Sequence, residues 1–541
     1  MKNTIIKLNV IRIIFKDPML GLPILLSLIA LVSFTYFYIN GLGLSYNDAR
    51  SHLDIGRRVV EGLKPGIAQL GSVWLPLPHV LMIPFVWNDF LWHSGLAGAL
   101  TSMVSFVATG IFIYLILKKL GIGILGRLVA VGLFASNLNM LYLQSTAMTE
   151  PLLIATTTAA IYSFIVWEKE EKIIDLIKSA FWVMMASLTR YDGWFLFLLI
   201  ASAVMVNIFI KSQGKITQNL KEKYQKAEGL MILFATLAGF GILLWFLWNQ
   251  LIFKDALYFA YGPYSARVQQ AQLEQAGNLV TKGNILYSAS AYLYALVYNV
   301  GAFIAVLGLI GAVILWIDKK IALNVKIAAS MLTTPLIFNI AALYFGHSVL
   351  FIQGISGETW FNVRYGALMV VPAAIFVGFL IDRLKDLRLV LIGLLLFVTF
   401  FQFNSLDAVT IDDARVGSSQ KNVSEVSGWL NQNAKDKDGF VLISVASHDA
   451  IVFSSGLPMS KFIHEGTGAY WDLATTNPSH WARWIVMRTY DDKDMVYKAV
   501  SKTKELDHYD LVAKYPFADV YKLQEQYVSN LITRPILGKQ K

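Results

Sequence analysis

The chain contains no cysteine and is short of charge. Among its 541 residues Asp, Glu, Lys and Arg together reach 15%, against 56% hydrophobic residues. The first absence excludes disulfides and thiolate chemistry, but not an outward-facing location, because exported proteins need not use disulfides. The second excludes an ordinary soluble enzyme, in which about a quarter of the residues are charged. Several motifs are missing too. There is no GxxxxGK phosphate loop, no GxGxxG following a strand, no HExxH and no CxxC, so an ATP-driven machine and a zinc hydrolase lack support. No solenoid period or inverted transporter-type repeat is visible. The basic start, "MKNTIIKLNVIRIIFKDPML", runs into a full-length apolar segment and not into a short segment with a cleavage site, so it reads as a retained anchor.

What is present is a series of apolar runs of about twenty residues, each long enough to cross a ~30 Å hydrocarbon core as helix. The expected spans are 19–38, 95–117, 124–143, 148–167, 173–190, 192–210, 229–249, 291–316, 325–346, 363–381 and 387–404. This predicts a polytopic α-helical membrane protein with about eleven transmembrane helices. The net charge of +10 invites a nucleic-acid partner, but its position argues otherwise. With the N-terminus cytoplasmic, inner segments hold 21 Lys and Arg and outer segments before residue 405 hold 9, as the positive-inside rule requires. No nucleic-acid partner is expected.

Two domains follow. Residues 1–404 form the transmembrane domain, with external loops 41–94 and 250–290, and residues 405–541 form a soluble extracytoplasmic α/β domain. In the latter "GFVLISVA" and "DLVAKYPFADVYKL" read as strands and "DDKDMVYKAVSKTKEL" as a helix.

The candidate chemistry lies at the external ends of the spans. In "SYNDARSHLDIGRRV", a helix places Asp48 and His52 on one face and Arg50, Asp54 and Arg57 on another. These charges either solvate a loop helix or supply a general base or metal ligand. Glu150, followed by Pro151, opens the fourth span, where it is either a helix-start residue favoured by the dipole or a functional carboxylate with a partner. "SLTRYDGW" places Arg190 and Asp192 in one short turn, and "GETWFNVRYGALMVVP" places Glu358, Arg364 and Tyr365 at the mouth of the tenth span. A guanidinium at that depth suits either a bound phosphate or a lipid headgroup. His79 in "WLPLPH", together with Lys254, Tyr261, Tyr264, Arg267, Lys282 and His347, could complete the walls of a site. His448 and His464 read equally well as surface residues of the soluble domain. Asp48, Asp54, His79, Glu150, Arg190 and Arg364 all fall on one face of the topology, which points to a single external site.

In the motifs "YNDARSHLDIG", "WLPLPH", "TEPLL", "LTRYDG" and "NVRYGALMVVP", taken in that order, the chain resembles the GT-C superfamily of membrane glycosyltransferases. It is most similar to the branch holding the protein O-mannosyltransferases and the lipid A aminoarabinose transferase, across residues 1–404. The resemblance implies an inverting transfer of a sugar from a polyprenyl-phosphate carrier to a hydroxyl of a glycan, lipid or protein acceptor on the external side of the membrane. By position it implies Asp48 as general base and Glu150 as a second carboxylate, the two together holding a divalent Mg or Mn ion if one is used. It further implies Arg364, Arg190, His79 and Tyr365 at the donor phosphate, with Asp54, His52, Arg267 and Lys254 toward the acceptor or behind these groups. The chain departs from the protein O-mannosyltransferases in carrying Asn47-Asp48 for an acidic pair and in lacking their large internal external domain, which leaves the acceptor class open. The competing reading is a flippase or transporter of polyprenyl-linked lipid or glycan, which calls for charged or broken helices at the bilayer midplane.

Overall fold

A computed structural model describes residues 18–211, 220–262, 265–275, 277, 279–416 and 420–535. The basic N-terminal tail and Tyr264, both weighed above, lie outside the described residues. The chain forms two compact units. The first comprises 1–42, 72–78 and 99–413, and the second comprises 43–71, 79–98 and 414–541. Most of the first loop, including its helix Asn47–Val60, therefore folds with the C-terminal residues and not with the helical bundle.

The first unit is helical. Among the described residues seven helices are long and apolar enough to cross a membrane: Gly21–Ile39, Leu96–Lys119, Glu150–Glu170, Lys221–Phe253, Leu323–Tyr344, Val363–Arg383 and Arg388–Val416. These mark an integral membrane protein. An eighth is reached by counting the pair Ile285–Val300 and Ala302–Ile317 as one span. The remaining three of the eleven expected spans correspond to the helices Ile124–Ala135, Ile173–Ser187 and Asp192–Lys211. The expected span 124–143 is interrupted after Ala135, with Asn137 capping a separate short helix, Leu138–Leu143. The expected span 291–316 is bent by 107° at Gly301, whose φ of +88° suits glycine alone among common residues. Hydropathy could not foresee the bend, because apolar residues continue on both sides of it.

The two ends of the bundle differ. At one end Lys119 and Lys172 pair with Glu170, Asn324 bonds Glu168, Asp382 accepts from the Gly123 amide, and Arg383 meets Asp318 at 2.8 Å. At the other end lie Glu150, Arg190, Arg364 and Asp413. The helices between them approach closely where glycines permit it. A Cβ on Gly126 would stand 2.5 Å from the Gly378 carbonyl oxygen, and one on Gly378 would stand 2.5 Å from that of Gly126. Small residues at crossing points let membrane helices gain contact where the hydrophobic effect gives none.

The second unit contains a five-stranded mixed sheet: β1 (Phe440–Leu442), β2 (Phe462–Ile463), β3 (Ala482–Met487), β4 (Tyr509–Lys514) and β5 (Asp519–Leu523), in the order β2-β1-β3-β5-β4. β1 runs parallel to β2 and β3, and β5 runs antiparallel to β3 and β4. β1, β4 and β5 fall in the segments read as strands. The helix expected from "DDKDMVYKAVSKTKEL" is shortened to Met495–Val500, because the buried Asp494 caps it by accepting from the Val496 and Tyr497 amides.

Gly378→Leu should force the two helices apart and cost about 1–3 kcal/mol. The expected result is a clearly lower melting temperature in detergent, while the same substitution at Gly393, where an added Cβ meets nothing within 4 Å, should leave it near wild type.

Candidate functional site

In the first unit the site is built around one carboxylate. Glu150 is the first residue of the helix Glu150–Glu170 and has no exposed surface. Its Oε1 accepts from Arg190 Nη1 at 3.2 Å and from Arg364 Nε at 3.0 Å. Arg190 comes from the turn between two helices, where its Nε also reaches Asp192 Oδ2 at 3.3 Å. Arg364 comes from the 3₁₀ turn Val363–Met369, and its Nη1 lies 3.9 Å from Asp413 Oδ2. The Tyr365 ring underlies both guanidiniums, at 4.8 Å from Arg190 and 5.3 Å from Arg364. Two like charges are thus held side by side by a shared anion and a shared aromatic face. The Arg190 side chain keeps 20% of its surface exposed, against 6% for Arg364, so Arg190 is the more accessible of the two. A pair of fixed guanidiniums, each with five donors and only part of them used by Glu150, suits an arriving phosphate.

Glu150 and Asp48 were the expected metal ligands. Two guanidiniums already compensate the Glu150 carboxylate and would repel a dication, so this donor set does not fit a divalent metal. Among the described residues no group of three or more His, Asp or Glu could hold one.

The second unit holds the residues of "SYNDARSHLDIGRRV". Asp48 lies half-buried in the first turn of Asn47–Val60. His52 and His79 are buried and pair through Nδ1 and Nε2 at 2.9 Å, one ring donating to the other. Asp54 has no exposed surface and accepts from Trp92 Nε1 at 3.2 Å. It also faces Asp449, whose Oδ1 accepts from Arg58 Nη1 at 2.6 Å. Burial, and then the Asp449 carboxylate, push the Asp54 carboxyl well above its ordinary range. Burial raises Asp449 as well, despite Arg58. Burial thus disfavours charge on both carboxyls of this pair. The nearby arginines are likewise engaged: Arg50 with the Leu44 carbonyl and Ser454, and Arg57 with Glu61, Asp89 and the Val86 carbonyl.

Other expected residues fall elsewhere. Lys254 is exposed and turns back to the Leu251 carbonyl. Arg267 is exposed and lies over the Tyr261 ring at 5.0 Å. Glu358 is exposed, and Lys282 pairs with Glu274. His448 and His464, which read equally well as surface residues, are buried. His448 Nε2 meets Asp494 at 2.8 Å, and burial, followed by the Arg58 charge, takes His464 down to about 3. Asp413 and Asp449 escaped the sequence reading. For Asp413 a signal existed in "IDDARV", a carboxylate pair directly after the last span.

No protein-family model matches the chain, and no curated protein matches it. Solved structures do. ArnT from Cupriavidus metallidurans in the apo state is similar with a TM-score of 0.54 at 11% identity, covering 94% of this chain and 99% of that one. The same ArnT bound to undecaprenyl phosphate gives 0.54 at 10%, covering 92% and 98%. This is the GT-C fold. Archaeal oligosaccharyltransferase AglB from Archaeoglobus fulgidus, in complex with an inhibitory peptide and a dolichol-phosphate, gives 0.49 at 10%, covering 95% of this chain and 75% of that one. The resemblance read from the motifs is thus met at the level of the fold, and over nearly the whole length of both chains for ArnT.

The raised carboxyls of Asp54 and Asp449 predict a pH dependence. A carboxyl whose folded pKa is raised gives stability that is fully present below about pH 4 and is lost as the pH rises through the raised value. Hydrogen-exchange protection of β1, corrected for intrinsic exchange, should fall over that rise in wild type. Asp54→Asn, which keeps a donor toward Asp449, should flatten the dependence.

Proposed function

We propose that the protein is an inverting glycosyltransferase that takes its sugar from a polyprenyl-phosphate carrier and passes it to a hydroxyl of a glycan, lipid or protein acceptor on the external side of the membrane. The observation that carries this reading is the pair Arg190 and Arg364, held on Glu150 and Tyr365 at the end of the bundle opposite the lysine-rich loops. The ArnT fold supports it, since one of those structures binds undecaprenyl phosphate. The sidedness follows from the basic loops, which put the N-terminus in the cytoplasm and the arginine pair outside. In the domain division that goes with this reading, residues 1–404 carry the transferase domain and 405–541 an extracytoplasmic accessory domain. Eleven crossings satisfy the sidedness if the three short helices each count as a span.

In the reaction the acceptor oxygen attacks the anomeric carbon as the bond from that carbon to the phosphate oxygen breaks. The bonding pair leaves with the phosphate, and one displacement inverts the centre, as in other inverting sugar transfers. The negative charge grows on the phosphate oxygens, where Arg364 and Arg190 stabilise it. Asp48, in the first turn of its helix, is the base that takes the hydroxyl proton. Glu150 is a positioning residue that holds both guanidiniums.

The test follows release of free polyprenyl phosphate from a panel of polyprenyl-phosphate sugars by the detergent-purified protein, with total envelope lipids and glycans as acceptors. Wild type should release it. Asp48→Asn should lower the rate by about 10²–10⁴-fold, the usual contribution of a general base, while leaving donor binding intact. Arg364→Gln should weaken donor binding and lower the rate together. A folded wild type that moves labelled carrier across vesicles without releasing phosphate would refute the transferase reading in favour of transport.

A further inference from the structure

The bend at Gly301 leaves a polar cavity of about 250 Å³, partly open to solvent, inside the first unit. The break frees the main-chain oxygen of Asn299 from helical bonding, and the side-chain amides of Asn137 and Asn139 donate to it at 2.8 and 3.2 Å. The Asn299 side chain is 1% exposed. Its Nδ2 donates to the carbonyls of Ala295 and Val363, each at 2.8 Å, yet its Oδ1 has no partner among the described residues. A buried acceptor without a donor is rare in a native structure and calls for an external group. The Gln402 amide and the Asp407 carboxylate line the same cavity, and neither side chain has a hydrogen-bond partner among the described residues. Tyr298, 43% exposed, forms an aromatic wall with its ring edge-on to Trp360 at 5.1 Å.

We propose that this cavity binds a neutral saccharide. The lining is rich in acceptors and includes a carboxylate, so it suits a ligand with many hydroxyl donors. No lysine or arginine lines it, and Asp407 would repel an anion, so it does not suit the carrier phosphate. The amides can both give and take hydrogen bonds with a sugar's hydroxyls, and an aromatic wall covers the C–H face of a pyranose. The volume suits a single sugar ring, at the small end for a ligand pocket. The Asn299 bond to the Val363 carbonyl places the cavity one residue from Arg364, yet with opposite chemistry. Saccharide binding here does not require the transfer reaction. If that reaction holds, the cavity is where an acceptor glycan would rest.

The test is saturation-transfer NMR on the full chain in detergent, with mannose, glucose, galactose, N-acetylglucosamine, cellobiose, lactose and chitobiose at up to about 20 mM, and no carrier present. At least one should bind with a millimolar Kd. Gln402→Ala with Asp407→Ala should weaken it about tenfold or more at an unchanged melting temperature. Asp407→Asn, a shape-preserving change at an exposed position, should weaken it by a smaller factor. Silence across the panel, or a double variant that binds as wild type does, would overturn the proposal. Because no donor is used, failure here leaves the transferase reading standing, and loss of phosphate release leaves this site standing.

Discussion

A carboxylate without exposed surface at the mouth of a membrane bundle has to be compensated where it stands. Glu150 imposes that requirement on the first unit. Its compensation comes from two arginines 40 and 214 residues away in sequence, so satisfying one charge ties the start of its own helix to the Arg190 turn and to the Val363–Met369 turn. Asp192 and Asp413 then take up donors of the same guanidiniums. Removing one partner of such a pair typically costs about 3–5 kcal/mol, because an uncompensated charge remains buried. The arrangement therefore resists drift in either arginine. That fixity matters if the arginines meet a phosphate, since stabilisation of developing charge depends on donors that are already in place.

The second unit answers the same requirement in another way. Its helix Asn47–Val60 carries two aspartates, a histidine and three arginines, and all of these but Asp48 are buried. Where Glu150 is balanced by opposite charge, Asp54 is buried beside Asp449 and its carboxyl is pushed toward the neutral form, while Arg58 holds the far side of that pair. His52 likewise finds a neutral partner in His79. This helix looks catalytic because it is dense in ionisable residues, but most of that density is structural and joins the loop to the C-terminal residues. Asp48, half-buried in the first turn, stands at the edge of this network.

Much of this was legible in the sequence, and the limits have physical causes. Apolar runs of span length announced the bundle, and the short runs rich in β-branched and aromatic residues announced β1, β4 and β5. Glu150, Arg190, Arg364 and Tyr365 were legible because each is a charge or an aromatic group set against an apolar run. Their partners were less so. Asp449 lies 391 residues from Arg58, and no local pattern encodes a pairing across that distance. The strands Phe462–Ile463 and Ala482–Met487 are short and buried, with no alternation to betray them. Eleven even spans was the natural inference from hydropathy, which measures how apolar a segment is and not which way it runs.

The break at Gly301 shows what that blindness conceals. A bent membrane helix must satisfy the carbonyls it frees, because lipid offers no donors. Asn137 and Asn139 meet that need from the short helix at the interrupted span, and Asn139 also accepts from the Thr410 amide and hydroxyl. Two irregularities in different spans are thus a single feature, each supplying what the other lacks. Asn299 then donates to the carbonyl just before Arg364, so the same repair steadies the turn that carries the buried arginine. Asparagines in apolar segments read singly as anomalies. Together they are the means by which the bundle bends beside its charged site without leaving its backbone unpaired.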